Sequence, residues 1–209
     1  MHNTTYQEVG EFVATMLDPT AKLSILDLGA RSSNGSYRSL FVDVPEQWEV
    51  RHEMLAGFRA RYTPGPLWQY VGADTAAGEN VDIVLPKPYD WGIAPQTFDV
   101  ILSGQCLEHV PDVAQWVRQI PPLVKPGGLV LMLAPYRGDI HACGGGHYWL
   151  IMPDGMKWLL EDVAGLEVVD VRINGKDCIG LARKVAGKPR KSERIQPKGH
   201  GWKGAAACQ

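Results

Sequence analysis

Two aspartates and three histidines are the residues of this chain best placed, by type and by neighbours, to do chemistry. Asp27 lies in an apolar run, 24–28, that passes into the small-residue loop from Gly29 to Gly35. Asp74 closes a second apolar run, Tyr70-Val71-Gly72-Ala73. A buried strand that opens into a loop without bulk lets backbone approach a ligand closely. An acid ending a second strand can accept hydrogen bonds from the paired hydroxyls of a sugar. That order describes how α/β proteins hold an adenosine group at the carboxyl ends of their strands.

His109, His141 and His147 carry the side chain whose unperturbed pKa suits proton transfer near neutrality. His141 and His147 flank Cys143-Gly144-Gly145-Gly146, a run that reads as a mobile lid or a close backbone approach to substrate. Tyr136, Arg137, Tyr148 and Trp149 are candidates to line the same pocket. His141-x-Cys143-x3-His147 offers nitrogen and sulfur ligands, but the spacing matches no usual zinc signature and no metal is expected.

These side chains need a scaffold, and the periodicity supplies one. Tyr6, Val9, Phe12, Val13, Met16 and Leu17 recur at helical spacing behind a Thr4 or Thr5 cap, up to Asp18-Pro19. Strands are expected at 24–28, 67–73, 81–85, 98–103 and 129–133. Asp112 can cap a helix that Pro121-Pro122 must kink or shorten, and Pro153 opens another running to about Val163. Two closing strands, 166–173 and 178–183, flank an Asn174-Gly175 turn. An Arg-rich helix over 48–62 would end at Pro64-Gly65-Pro66. Alternating strands and helices predict an α/β fold: a Rossmann-like, mostly parallel seven-stranded sheet, helices on both faces, and an antiparallel closing strand.

The 209 residues, 45% hydrophobic and 21% charged, fit one domain at 1–183 followed by a basic tail at 184–209 read as disordered. A net charge of −2 recruits neither nucleic acid nor an acidic membrane. The four cysteines lack paired spacing, and neither a signal peptide nor a membrane-length apolar run is visible. A cytoplasmic location is expected.

Four segments carry a family resemblance: ILDLGARSSNG at 25–35, YVGAD at 70–74, FDVILSGQCLEHV at 98–110 and LVKPGGLVLMLAP at 123–135. In this order and spacing the chain resembles a class I S-adenosylmethionine-dependent methyltransferase, over about residues 20–183. It is most similar to the small methyltransferases with LEHV after strand four and LKPGG before strand five. The stretch Asp154-Gly155-Met156-Lys157-Trp158 also resembles that group's helix after the fifth strand. The resemblance implies S-adenosyl-L-methionine as cofactor. It assigns Asp27, Gly29, Ala30 and Gly35 to the cofactor's amino-acid end and loop, and Asp74 and Thr75 to the ribose. Tyr89, Asp90 and Trp91 would hold adenine, and Ser103, Gly104 and Gln105 would face the sulfonium. One position departs: members usually carry glycine where Arg31 stands, and Gly35 would then take over the close approach.

The Asn/Asp-Pro-Pro-Tyr motif of nucleic-acid amino methylation and the Pro-Cys pair of cytosine carbon methylation are absent. Elimination leaves oxygen methylation of a small-molecule or glycan-type acceptor, with no membrane partner and nucleic acid disfavoured. Two alternatives stay open: a catalytically degenerate binding module on the same fold, and a nicotinamide-dependent oxidoreductase. The second lacks Gly-x-Gly-x-x-Gly after the first strand.

Overall fold

The computed structural model describes residues 3–31, 37–42, 64–138 and 146–186. The expected helix over 48–62, Gly35, His141, Cys143 and the tail from 187 onward lie outside the described residues.

Helix α1 (Asn3–Met16) buries Tyr6, Val9, Phe12 and Val13, the apolar face its spacing predicts. Thr5 does not cap it: it lies fully buried inside the first turn, and its hydroxyl donates to Asp177. Strand β1 (Ser24–Leu28) pairs in parallel with β2 (Gln69–Asp74) on one side and β4 (Phe98–Gly104) on the other. The two-residue β3 (Ile83–Val84) extends the sheet beyond β2. On the opposite flank come β5 (Val124–Pro135), then β7 (Asp177–Arg183) and β6 (Glu167–Asn174), giving the order β3-β2-β1-β4-β5-β7-β6. Pairing is parallel through β5 and antiparallel for β5–β7 and β6–β7.

The chain leaves β1 toward β2 and β3, then returns across it to β4. In open sheets of this kind, such a reversal marks the carboxyl ends of β1 and β4 as the place where a ligand crevice forms. Side-chain alternation splits the core into two layers. Leu26, Leu28, Ile101 and Met132 meet helices α3 (Val113–Val117), α4 (Ile120–Leu123) and α5 (Pro153–Trp158). Ile25, Leu102, Leu131 and Leu133 face α1 and the short α2 (Arg38–Phe41). Each fully buried Leu or Ile contributes roughly 1.5–3 kcal/mol.

Several boundaries moved for local reasons. Leu67 and Trp68 sit in a turn closed by Trp68 N–H on the Gly65 carbonyl (3.0 Å), so β2 starts later. The helix capped by Asp112, whose Oδ1 accepts Gln115 N–H at 2.9 Å, breaks into α3 and α4, with proline in the first turn of α4. Helix α5 starts at Pro153 as expected and ends in a π turn, Leu159–Val163. The closing hairpin turns on Gly175-Lys176, inside the Asn174–Asp177 pair. Gly175 takes φ +62° there, the position that glycine fills in a type II′ turn. Backbone pairing runs one residue past Arg183: Lys184 bonds Gly127 and Gly128, and its Nζ donates to the Pro121 and Val124 carbonyls.

Candidate functional site

Asp74 ends β2 at the crevice, half-exposed. Its Oδ2 accepts the Arg31 N–H at 3.3 Å, and its Oδ1 accepts Ala76 N–H at 3.1 Å and the Thr75 hydroxyl at 3.4 Å. The carboxylate thus caps its own turn and reaches the loop after β1, with surface left for a ligand. The loop is drawn in by two N–H groups, Gly29 (2.9 Å) and Ala30 (3.2 Å), on the Ala73 carbonyl. Gly29 adopts φ +82°, and a Cβ there would fall 2.7 Å from the Cys106 side chain. Only glycine lets the β1 loop and the β4 tip meet this closely.

Arg31, at the departing position, is exposed and lays its side chain across Gly78; a Cβ on Gly78 would stand 3.0 Å from Arg31 Cγ. Its bulk therefore lies over Gly78, in the segment that follows β2. Asp27 sits beneath the loop, 2% exposed, and accepts the Tyr70 phenol proton. Burial pushes its carboxyl up to about 7, against the opposing pull of Tyr70 and Arg38.

The β4 tip is pinned on every side. The buried Ser103 hydroxyl donates to the Leu28 carbonyl at 3.1 Å. Gly104 leaves room for Tyr37, whose Oη would be 2.3 Å from an added Cβ. Gln105 holds φ +57°, donates its N–H to Leu133 O (2.8 Å) and its Nε2–H to Asp177 Oδ1 (2.9 Å). Burial lifts the Cys106 thiol well above its usual range, so it is no ready nucleophile.

After the tip, the 3₁₀ turn Leu107–His109 carries Glu108, fully buried and pushed up to about 7 by that burial. His109 Nδ1 lies 2.8 Å from the Gly146 carbonyl, which can only accept, so Nδ1 carries the proton. Nε2 then lies 3.7 Å from Glu108 Oε1. His147 stands edge-on to His109 with ring centroids 5.5 Å apart. Tyr148 N–H on the Glu108 carbonyl (2.7 Å) and Trp149 Nε1–H on the Val110 carbonyl (2.8 Å) strap this segment down.

The structure therefore brings Asp27, Gly29, Ala30, Asp74, Thr75, Ser103, Gly104 and Gln105 to one rim, with His109 and His147 following the β4 tip. The 86–91 turn is occupied otherwise. Trp91 is buried against Trp116, Tyr89 Oη accepts Asp112 N–H at 3.0 Å, and the exposed Asp90 pairs with Lys87 at 3.4 Å. Asp177 was not singled out from sequence. An acid two residues beyond Asn-Gly reads as turn chemistry, and nothing local marks it as buried. Among the described residues no cluster of three or more His, Cys, Asp or Glu could hold a metal, and no helix is long and apolar enough to cross a membrane.

A partly exposed acid beside a small-residue loop at a topological switch point offers acceptors for the hydroxyls of a sugar-linked ligand, and the residues present fit an adenosine cofactor. The comparisons agree. A family model described as a methyltransferase domain matches residues 2–171. A ubiquinone biosynthesis O-methyltransferase of Stutzerimonas stutzeri is 36% identical over 96 residues, covering 42% of this chain and 41% of that protein. Its namesake from Colwellia psychrerythraea is 30% identical over 117 residues, 49% of this chain and 44% of that one. The chain thus spans less than half the length of these curated relatives. The fold matches a SAM-dependent methyltransferase from Aquifex aeolicus (TM-score 0.52, 13% identity, 86% of this chain and 97% of that). It also matches the 1,6-didemethyltoxoflavin-N1-methyltransferase of Burkholderia thailandensis, solved with S-adenosylhomocysteine (TM-score 0.58, 15% identity, 87% and 78%).

Proposed function

The chain belongs to the methyltransferase domain family, whose cofactor is S-adenosylmethionine, and from that membership we propose that it methylates an oxygen atom of a small-molecule acceptor. The observation that carries the cofactor assignment is Asp74, oriented by Arg31, Thr75 and Ala76 at the end of β2. Its carboxylate accepts the two ribose hydroxyls. Gly29 and Ala30 line the amino-acid end, and Ser103, Gly104 and Gln105 face the sulfonium. Of the three adenine candidates, the half-buried Tyr89 and the exposed Asp90 leave surface for the ring, while Trp91 is buried against Trp116.

When bound, the cofactor supplies a methyl group already activated for transfer. What remains for the protein is to align the acceptor, exclude water and take one proton. His109 is the proposed proton acceptor. With Nδ1–H held by Gly146, the lone pair is on Nε2, and the imidazolium formed there faces Glu108 at 3.7 Å. His147 limits the ring's rotation from 5.5 Å, and His141 is a second candidate from the same glycine-flanked segment.

Oxygen is favoured because Ser103-Gly104-Gln105 stands where amino-methylating enzymes of nucleic acid carry Asn/Asp-Pro-Pro-Tyr. The names of the curated relatives, ubiquinone biosynthesis O-methyltransferases, also point to oxygen, and a phenolic hydroxyl is the acceptor class we take for the test. The test incubates the full chain with methyl-labelled cofactor and a phenol, a carboxylic acid, an amine and an oligosaccharide. Label on the phenolic oxygen is expected; label on the amine alone contradicts the proposal. His109→Gln should lower transfer by about 10²–10⁴-fold while leaving S-adenosylhomocysteine binding intact.

A further inference from the structure

Asp177 is a buried carboxylate, 1% exposed, at the first residue of β7, in register with Pro135 at the end of β5. Because β7 runs antiparallel, its first residue stands at the same rim as the ends of β1, β2 and β4. Its two oxygens serve two distant elements. Oδ1 accepts Gln105 Nε2–H at 2.9 Å from the β4 tip, and Oδ2 accepts the Thr5 hydroxyl at 3.1 Å from the first turn of α1. Closing a hairpin needs no charge, and a buried carboxylate persists only where hydrogen bonds compensate its lost hydration.

Gln105 is the residue that needs holding. Its φ of +57° is left-handed, which a side chain without glycine's freedom sustains only when the surroundings fix it. Its neighbours set the floor of the crevice: Ser103 binds the Leu28 carbonyl, and Cys106 packs against Gly29. The conformation at Gln105 therefore decides where the β1 loop and the β4 tip meet. Strands β2, β1 and β4 are consecutive neighbours in the sheet. A cofactor clasped by its ribose at Asp74 would have the β1 loop and then the β4 tip as its next neighbours along the rim.

We propose that Asp177 is a positioning residue for methyl transfer: it holds Gln105, and through it the β4 tip, against the sulfonium end of the cofactor, with Thr5 locking α1 to the same carboxylate. The proposal rests on the methyltransferase reading above. Asp177 itself touches no reacting atom.

A length exchange tests it. Gln105→Asn keeps the amide and tolerates the left-handed backbone, but is one methylene too short for Asp177. Asp177→Glu is one methylene too long, and the double variant restores the span. Calorimetry on the full chain uses S-adenosylhomocysteine and adenosine, which keeps the nucleoside but lacks the sulfur and everything beyond it. Each single variant should weaken S-adenosylhomocysteine roughly tenfold and adenosine by less than about twofold. The double variant should recover the native ratio of the two affinities. Equal losses for both ligands, an unchanged ratio in the single variants, or no recovery in the double variant each overturn the proposal. Should Asp177→Glu fail to fold, Thr5→Val carries the same expectation, and an unchanged ratio there overturns it too. A native chain that binds neither ligand contradicts the methyltransferase reading and the proposal together; native binding with variants that do not discriminate overturns the positioning role alone.

Discussion

Asp27 is held in a place where its charge is costly. Burial raises its carboxyl from 3.8 to about 7, so between those values the folded chain keeps a proton that the unfolded chain has lost. Stability contributed by the protonated form is therefore full at acid pH and falls as pH rises toward about 7. Glu108, raised from 4.5 to about 7 by burial, adds a second decline of the same sign. Asp27→Asn should remove one of the two. The ceiling is about 1.4 kcal/mol per pH unit for each group, so urea unfolding at pH 5 and pH 8 should show a clearly flatter loss. An identical pH dependence in the variant would mean Asp27 ionises freely. At this scale Asp74 and Gly29 were legible, because an acid or glycine ending an apolar run states its position. Asp177 was not. Its partners Thr5 and Gln105 lie 172 and 72 residues away, and no local pattern records such a meeting.

Elements were legible where apolar period and turn chemistry agreed. Strand β1 runs over the expected residues, and α5 begins at its proline. They were illegible where one element is fixed by another. Strand β5 starts at Val124 because Phe98 pairs with it across a bulge, which no reading of the Pro126-Gly127-Gly128 turn reveals. Strand β2 depends on a crossing of the same kind. A Cβ on Gly72 would come 2.0 Å from the Asn80 carbonyl oxygen and 2.9 Å from Ala30 Cβ. Gly72→Ala must push the 74–80 turn and the β1 loop apart. It should cost about 1–3 kcal/mol in urea unfolding and weaken S-adenosylhomocysteine as well. Gly155→Ala is the matched control. Nothing lies within 4 Å of its Cβ position, and in α5 it should stabilise by about 0.5–1 kcal/mol with binding unchanged. Equal effects from the two substitutions would deny that the crossing shapes the site.

For the whole molecule, the order β3-β2-β1-β4-β5-β7-β6 is what joins residues far apart in sequence into one rim. The α/β class was readable from alternation and from the four motif segments. The link from α1 to the β4 tip was not, since it exists only after the sheet closes with β7 between β5 and β6. Pairing continues to Lys184, so a chain ending at Ala186 keeps every described contact of the closing strand. That truncation should leave the melting temperature and S-adenosylhomocysteine affinity at native values; a lost thermal shift would make the basic segment part of the binding unit. The rim at the ends of β1, β2 and β4 is proposed to grip an adenosine-linked sulfonium through Asp74. Calorimetric titration of S-adenosylhomocysteine into the native chain and Asp74→Ala tests it most directly. Native binding should be saturable and binding to the variant at least tenfold weaker, as the loss of charged hydrogen bonds of roughly 1.5–3 kcal/mol requires. Equal affinity in the two proteins would contradict it.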